Sequence, residues 1–310
     1  NDMHMREGYA RALADYGAVN PNVVVLDPDT SSSTMSGLFA RRFPERFFNV
    51  GIMEPCMIDV AVGLAMGGKI PFANGFAALI ALRALEQIRT CVCYARKNVK
   101  IASGYAGLSD YKDGATHHAI TDIALMRALP EMTVIVAADA VQAGAWVPLV
   151  AEYDGPVYLR LNRSATIPVH EAGSPLEMGR GIMRRPGHDL TIVATGSMVG
   201  RSMAAAERLA GQGVDARVIE IHTIKPIDAD ILNQAAAETG AIVTAEEHSV
   251  IGGLGSAVAQ ALAEHHPAPC EFVGMQDAFG KSGEFEELLA YFHLDARAVV
   301  DAVEKVMQRL

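Results

Sequence analysis

The chain has 310 residues, of which 50% are hydrophobic, and a formal net charge of −10. Its length suits two domains better than one, because single hydrophobic cores stop growing at about 250–300 residues, and no apolar run approaches the roughly 20 residues that cross a membrane. The negative charge without a lysine or arginine cluster argues against nucleic acid as a partner, and four cysteines without zinc-type spacing indicate reduced thiols in a cytoplasmic protein.

The first half of the chain alternates between helix-like and strand-like segments. A helical pattern over residues 6–16 precedes the buried strand-like run Val23–Asp27, and further such runs follow at 46–50, 69–73, 99–103, 133–137 and 156–161. Continuous apolar strands that alternate with helices predict a parallel sheet covered on both faces. Ligands in such folds bind beyond the carboxyl ends of the strands, where Asp27, Asn49, Gly104 and Arg160 are expected.

A second α/β unit is predicted after a break in this pattern. Residues 169–189 are rich in proline, glycine and charge, which is typical of a linker. Strand-like runs resume at 190–194, 216–221, 241–245 and 271–273, with helices between them and a final helix from residue 295 toward Leu310. We therefore predict domains over residues 1–168 and 190–310.

One acid stands at the entrance to an unusually apolar helix. The strand-like run that begins at Phe47 breaks at Gly51, and Glu54 opens a helix whose residues 57–68 are almost all small or apolar. A helix that is apolar on nearly every side is a buried one, so Glu54 is expected to enter the interior. For an isolated acid the ordinary interpretation is a capping carboxylate, which the helix dipole favours.

The segment Asn-Val-Gly-Ile-Met-Glu-Pro, residues 49–55, resembles the transketolase segment that supplies the thiamine-activating glutamate. The similarity continues in order through residues 70–76, 83–89, 113–117 and 246–248. It covers nearly the whole chain but only the C-terminal half of a full-length transketolase, as found in two-subunit versions. The resemblance implies a parallel-sheet α/β domain that binds the pyrimidine of thiamine diphosphate, followed by the α/β C-terminal domain of transketolases.

The same resemblance implies which residues contact the cofactor. Glu54 would share a proton with the aminopyrimidine ring, a role that suits a buried carboxyl group because burial disfavours its charged form. Phe76, Leu79 and Arg83 would line the cofactor site, although a buried phenylalanine is also ordinary core packing. Leu79 and Ile80 stand where the family commonly has a further aromatic residue, which leaves open which side chain forms the wall.

A polar, glycine-containing loop over residues 105–118 resembles the substrate loop of transketolases. Asp113 and His117 match a family motif in which the aspartate binds a sugar hydroxyl and the histidine acts near the cofactor, as suits a group that exchanges protons near neutral pH. Tyr105 replaces a family histidine that touches the donor sugar, and Lys112 replaces an acid. These two departures predict a reshaped sugar pocket.

Two arginines match family positions that hold the sugar phosphate. Arg6 lies on the first predicted helix and Arg160 at the end of a predicted strand, and a guanidinium group suits phosphate because it binds two oxygens at once. Arg163, three residues further on, is an alternative to Arg160.

The half of the cofactor site that binds diphosphate is missing from the sequence. In this family a Gly-Asp-Gly segment and asparagines that follow it hold Mg²⁺ and the diphosphate, and no Gly-Asp-Gly occurs here. We therefore expect no metal ligand on this chain, and a separate subunit with the N-terminal half that supplies them, in a heterotetramer of two plus two.

The resulting hypothesis is the small subunit of a split transketolase. With its partner it would transfer a two-carbon ketol unit from a ketose phosphate to an aldose, and a specialised substrate such as apulose 4-phosphate is consistent with Tyr105. Two alternatives stay open: a β-type subunit of the first enzyme of a 2-oxoacid dehydrogenase, and a non-catalytic transketolase-like subunit.

Overall fold

The computed structural model describes residues 3–309, so Leu310, toward which the last helix was predicted to run, lies outside the described residues. The described strands are β1 (Val23–Asp27), β2 (Phe47–Asn49), β3 (Ile70–Phe76), β4 (Lys100–Gly104), β5 (Thr133–Val136), β6 (Val157–Arg160), β7 (Ile182–Arg185), β8 (Leu190–Ala194), β9 (Ala216–Glu220), β10 (Thr223–Lys225), β11 (Ile242–Ser249) and β12 (Cys270–Met275). The helices are α1 (Met5–Val19), α2 (Ser31–Thr34), α3 (Gly37–Arg42), α4 (Glu54–Met66), α5 (Ala77–Arg83), α6 (Leu85–Gln87), α7 (Asp122–Ala128), α8 (Ala140–Glu152), α9 (Met198–Gly211), α10 (Ala229–Thr239), α11 (Leu254–His265), α12 (Phe285–Tyr291) and α13 (Ala296–Met307), with a 3₁₀ turn at Pro44–Arg46 and a π-helical segment at Ile88–Tyr94.

The first sheet has seven strands in the order β10-β5-β6-β4-β3-β1-β2. All of its pairs are parallel except β10, which pairs antiparallel with β5 at the edge. The parallel α/β fold class is therefore confirmed. The edge strand β10 comes from the second half of the chain, so the two predicted domains share this sheet.

The second sheet has five strands in the order β12-β11-β8-β9-β7. Its pairs are parallel except for the antiparallel edge pair of β7 with β9. Strand β7 lies within residues 169–189, which the sequence predicted to be a linker. The prediction of an irregular segment was wrong for these four residues, because an edge strand needs only one neighbour and can be short.

Helices pack on both faces of the first sheet, and close backbone approach is visible where α1 meets α8. A Cβ atom on Gly8 of α1 would collide with the carbonyl oxygen of Ala140, at the start of α8. Glycine therefore allows the two helices to lie against each other, and the contact encloses the side chains of Tyr9 and Trp146.

The composition of helix α4 predicted a helix buried on every side, and the structure contradicts this prediction. Met57, Ile58 and Ala61 face the core, but the opposite side of the helix and the segment before it expose large apolar side chains. These are Ile52, Met53, Val60 and Met66, the last with 70% of its surface accessible. The apolar composition of this helix therefore exceeds what the fold of the single chain covers.

No helix among residues 3–309 is long and apolar enough to cross a membrane.

Candidate active site

The candidate site lies beyond the carboxyl ends of three neighbouring strands, β3, β4 and β6. Phe76 ends β3 and pairs in register with Gly104, the last residue of β4. Tyr105 follows directly, and Arg163 lies three residues beyond the end of β6. Because parallel strands end at the same edge, side chains distant in sequence meet there, where α/β folds usually bind ligands.

Two aromatic rings form the centre of the site. The ring of Phe76 stacks on that of Tyr105 at a centroid distance of 4.3 Å and an interplanar angle of 27°. The imidazole of His117 meets Phe76 edge-on at 6.4 Å. Phe76 is only partly buried, and it lies among predicted site residues.

Two arginines contact Tyr105 from different directions. Arg6 donates from Nη1 to the Tyr105 hydroxyl oxygen at 2.9 Å and to the Ser33 carbonyl at 2.8 Å. The Arg163 guanidinium lies over the Tyr105 ring, 4.9 Å from its centroid, a favourable cation–π arrangement. Helix α1 and the segment after β6 thus place two cations around one tyrosine of the loop, which favours an anionic ligand.

Arg6 is oriented by a buried carboxylate that the sequence placed at a strand end but did not assign. Asp27 accepts hydrogen bonds from the hydroxyl groups of Thr34 and Ser36 at 3.0 and 2.8 Å. These bonds fix the segment after β1, and this segment contains the Ser33 carbonyl that Arg6 contacts.

Asp110 is a buried acid beneath this cluster that the sequence did not single out. Its Oδ1 lies 3.4 Å from Nη1 of Arg163, and its Oδ2 has no hydrogen-bond partner among the described residues. Burial, together with the negative charge of Asp113, raises the pKa of Asp110 to about 7. Tyr111, whose ring lies 5.2 Å from the Arg163 guanidinium, was also missed. Both residues lie in the loop whose composition predicted a site, and that was the one available signal.

Arg160 does not lie in the site, contrary to the prediction from the sequence. Its side chain is only 5% exposed, and Nε donates to Asp122 Oδ2 at 2.7 Å. Nη2 donates to the carbonyl oxygens of Ala119 and Glu247 at 2.9 and 3.0 Å. Burial raises the pKa of Asp122, but the charges of Arg160 and His248 and the hydrogen bonds from Arg160 and Tyr158 together outweigh it and leave that pKa below its usual value. A guanidinium that is enclosed and paired with Asp122 in this way is not placed to hold a substrate phosphate, whereas Arg163 keeps 23% of its side chain exposed.

Glu54 is the first residue of α4, and its carboxylate is 4% exposed. Pro55 follows in the first turn, where a missing N–H costs no helical hydrogen bond. Arg83 donates from Nη1 to Glu54 Oε1 at 2.9 Å, and half of the Arg83 side chain stays exposed. The described residues offer Oε2 no hydrogen bond, so this oxygen remains available to a ligand.

Helix α5 connects the Glu54–Arg83 pair to the aromatic centre. It begins after Phe76 and ends at Arg83, seven residues or about 10 Å along the axis. Leu79, on the same helix, is half-buried. One short helix thus links the pair at Glu54 to Phe76.

The loop residues Asp113 and His117 lie at the solvent side of the site. Asp113 is exposed, and His117 is half-buried with Nδ1 3.0 Å from the hydroxyl oxygen of Thr116. The structure thus brings Arg6, Phe76, Tyr105 and His117 together, and leaves Asp113 at the rim. Among residues 3–309, no group of three or more His, Cys, Asp or Glu side chains is arranged to hold a metal ion.

Comparisons with known proteins agree with this architecture. The family model for the transketolase pyrimidine-binding domain matches residues 1–168, and that for the transketolase C-terminal domain matches residues 179–299. A solved structure of a split-gene transketolase, described as an inactive tetramer of four β subunits, superposes with a TM-score of 0.91 at 48% identity and covers 99% of both chains.

Two curated relatives are subunits of transketolases for unusual sugars. The 6-deoxy-6-sulfo-D-fructose transketolase subunit of a Clostridium species (strain MSTE9) is 40% identical over 305 residues, covering 98% of this chain and 95% of that protein. One of the subunits of the apulose-4-phosphate transketolase of Phocaeicola vulgatus is 34% identical over 300 residues, covering 96% of each. These matches confirm the resemblance that the sequence motifs indicated.

Proposed function

This chain belongs to the transketolase family, and we propose that it is the subunit of a split transketolase that carries the pyrimidine half of the thiamine diphosphate site. The observation that carries the proposal is Glu54, a buried carboxylate at the start of α4 whose Oε1 is held by Arg83 and whose Oε2 has no hydrogen-bond partner among residues 3–309. The aromatic face of Phe76 lies one short helix away. A carboxyl oxygen and an aromatic face suit the polar edge and the flat face of an aminopyrimidine.

Each site residue has a proposed task in ketol transfer. When bound, thiamine diphosphate supplies a nucleophilic ring carbon that can attack the carbonyl of a ketose. Glu54 shares a proton through Oε2 with a pyrimidine nitrogen, and Arg83 holds the carboxylate in place through Oε1. Phe76 and Leu79 give the pyrimidine an apolar wall and exclude water from it.

The substrate loop would hold the sugar. His117 exchanges a proton with a sugar hydroxyl, for which an imidazole is suited near neutral pH, and the Asp113 carboxylate accepts a hydrogen bond from another hydroxyl. Arg6 and Arg163 bind the terminal anion, with Tyr105 between them. Arg163 takes this role in place of the buried Arg160.

We propose an anionic ketose as the donor. Two relatives are named for apulose 4-phosphate and 6-deoxy-6-sulfofructose, both of which are anionic sugars. Two arginines around one tyrosine suit a phosphate or a sulfonate, since a guanidinium group binds the oxygens of either anion. Screening ketose phosphates and sulfonated ketoses with the purified pair of subunits would identify the donor.

A partner subunit would complete the site. Large apolar side chains are exposed before α4, along α4 and on α5, namely Ile52, Met53, Val60, Met66 and Leu82, and exposed apolar side chains suit a protein interface. The related split-gene structure composed of β subunits alone is described as inactive. We propose that the partner supplies the Mg²⁺ and diphosphate ligands, and that two copies of each subunit assemble. The four free cysteines agree with a cytoplasmic location.

The test is a ketol-transfer assay on the purified chain with and without its partner. The pair should transfer a two-carbon unit from an anionic ketose, and it should not decarboxylate 2-oxoacids. Decarboxylation of 2-oxoacids by the pair would indicate the dehydrogenase subunit instead. Failure of the pair to bind thiamine diphosphate would indicate a non-catalytic subunit.

A further inference from the structure

The carboxyl end of β11, in the second sheet, extends toward the first sheet. Strand β8 pairs with β11 only as far as Ala245, and the next residues, Glu246 to His248, continue beyond that pairing. Both glutamates are buried. A buried carboxylate is costly unless it is hydrogen-bonded, so the partners of each one indicate what it does.

The carboxylate of Glu247 joins the two loops that carry the proposed anion site. Its Oε1 accepts the backbone N–H of Leu108 at 2.7 Å, and its Oε2 accepts Nδ2 of Asn162 at 2.9 Å. Leu108 lies three residues after Tyr105 in the loop beyond β4, and Asn162 directly precedes Arg163 in the loop beyond β6. One side chain of the second sheet therefore fixes both loops of the first.

Further contacts show that the surroundings of Glu247 are built around its carboxylate. The hydroxyl of Ser197 donates to Oε2. A Cβ atom on Gly107, whose φ is +63°, would collide with Oε1. The backbone carbonyl of Glu247 accepts Nη2 of Arg160 at 3.0 Å. Side chain and main chain of Glu247 are thus both anchored between the sheets.

We infer that Glu247 is a positioning residue, which sets the distance between Tyr105 and Arg163 and thereby the affinity of the site for the anionic end of the donor. The inference rests on the proposed function, because it takes these two residues to bind that anion. It assigns to the second domain an indirect part in substrate binding, through the loops beyond β4 and β6.

The neighbouring Glu246 provides a matched control. Successive residues of a strand point to opposite faces, and Glu246 accepts the backbone N–H groups of Leu254 and Gly255 at 2.7 and 2.8 Å, at the start of α11. Both glutamates are buried, lie on one strand and accept hydrogen bonds from the backbone. Of the two, only Glu247 contacts the loops beyond β4 and β6. A general loss of stability should therefore appear in both variants.

The first measurement is hydrogen exchange on the full chain, which needs no catalytic activity. In Glu247→Gln, exchange should accelerate in peptides that cover residues 105–110 and 161–164, and in Glu246→Gln it should accelerate around residues 253–256 instead. Unchanged exchange in the two substrate loops of Glu247→Gln, or equal acceleration there in both variants, would overturn the inference. If Glu247→Gln does not fold, Ser197→Ala, which removes one donor to the same carboxylate, should give a smaller acceleration in the same two segments.

The second measurement uses the reconstituted pair of subunits. Glu247→Gln should raise the KM for an anionic donor by roughly 10- to 100-fold, the scale of a misplaced binding group, while kcat and the KM for an uncharged ketose change little. A lowered kcat with an unchanged KM would contradict the inference. If the parent pair transfers no ketol units, the proposed function fails, and the exchange measurement alone decides whether Glu247 fixes the loops.

Discussion

Replacing Arg160 and Arg163 one at a time by alanine should affect different properties of the protein, although only two residues separate them. Arg160 is enclosed and ion-paired with Asp122 at 2.7 Å, whereas Arg163 is partly exposed over the Tyr105 ring. The first change should lower stability, and the second should weaken binding of an anionic substrate.

The magnitudes follow from the two environments. Arg160→Ala leaves the Asp122 carboxylate buried without its cation, and breaking a buried pair in this way typically costs about 3–5 kcal/mol. That is a large share of the roughly 5–15 kcal/mol that stabilises a domain. Arg163→Ala removes a charged hydrogen bond to the substrate, about 1.5–3 kcal/mol, or a rise in KM of roughly 10- to 150-fold.

Urea unfolding of the chain and donor kinetics of the reconstituted pair measure the two effects. We expect a clear loss of unfolding free energy in Arg160→Ala. In Arg163→Ala we expect a selective rise in KM for anionic over neutral donors with a smaller loss of stability, because the buried Asp110 that loses its cation already has a pKa of about 7 and can take up a proton. One result would contradict this expectation. The unfolding free energy of Arg160→Ala would lie within about 1 kcal/mol of that of the parent, well under the cost of a broken buried pair, and Arg160→Ala would be the variant that loses selectivity for anionic donors.

Three further predictions concern other parts of the molecule. Glu54→Gln should fold normally and lower turnover by roughly 10²–10⁴-fold, the usual worth of an acid–base group. Asp59→Asn, which changes an exposed acid on the same helix, should leave turnover unchanged. Turnover at the parental rate in Glu54→Gln would remove Glu54 from the reaction. The chain alone should bind Mg²⁺ and thiamine diphosphate weakly in calorimetry, because Mg²⁺ in such sites takes carboxylate and phosphate oxygens and the motif that supplies them is absent; micromolar binding with turnover and no second polypeptide would contradict this. Burial lowers the pKa of His170, but hydrogen bonds to Asp139 and Glu220 outweigh it and raise that pKa to about 9. The stabilising contribution of protonated His170 is therefore fully present below pH about 6.5 and lost as the pH rises through about 9. The unfolding free energy should fall by at most about 3 kcal/mol over that interval. If the variant His170→Gln shows the same dependence of unfolding free energy on pH as the parent, another group is responsible.

The sequence by itself determined the alternation of strands and helices and the division into two parallel α/β units. These features depend on local propensity and on the apolar pattern, which are present in each segment whatever its neighbours are. The motif around Glu54 also carried the family assignment and the position of that acid at the start of a helix. The loop over residues 105–118 was recognisable from its polar composition, and Tyr105 and His117 do lie together beyond the strand ends.

Only the tertiary structure decided which strands complete the sheets and which arginine faces the site. Strands β7 and β10 are short edge strands, and each is stabilised by a single neighbour distant in sequence, which no local pattern reveals. Arg160 and Arg163 are equivalent by residue type. Arg160 is held in the interior by Asp122, 38 residues before it, whereas Arg163 lies over the ring of Tyr105 and stays accessible. The role of Glu247 likewise depends on Leu108, 139 residues away. Such contacts arise from packing between remote segments, and packing is decided only when the whole chain folds.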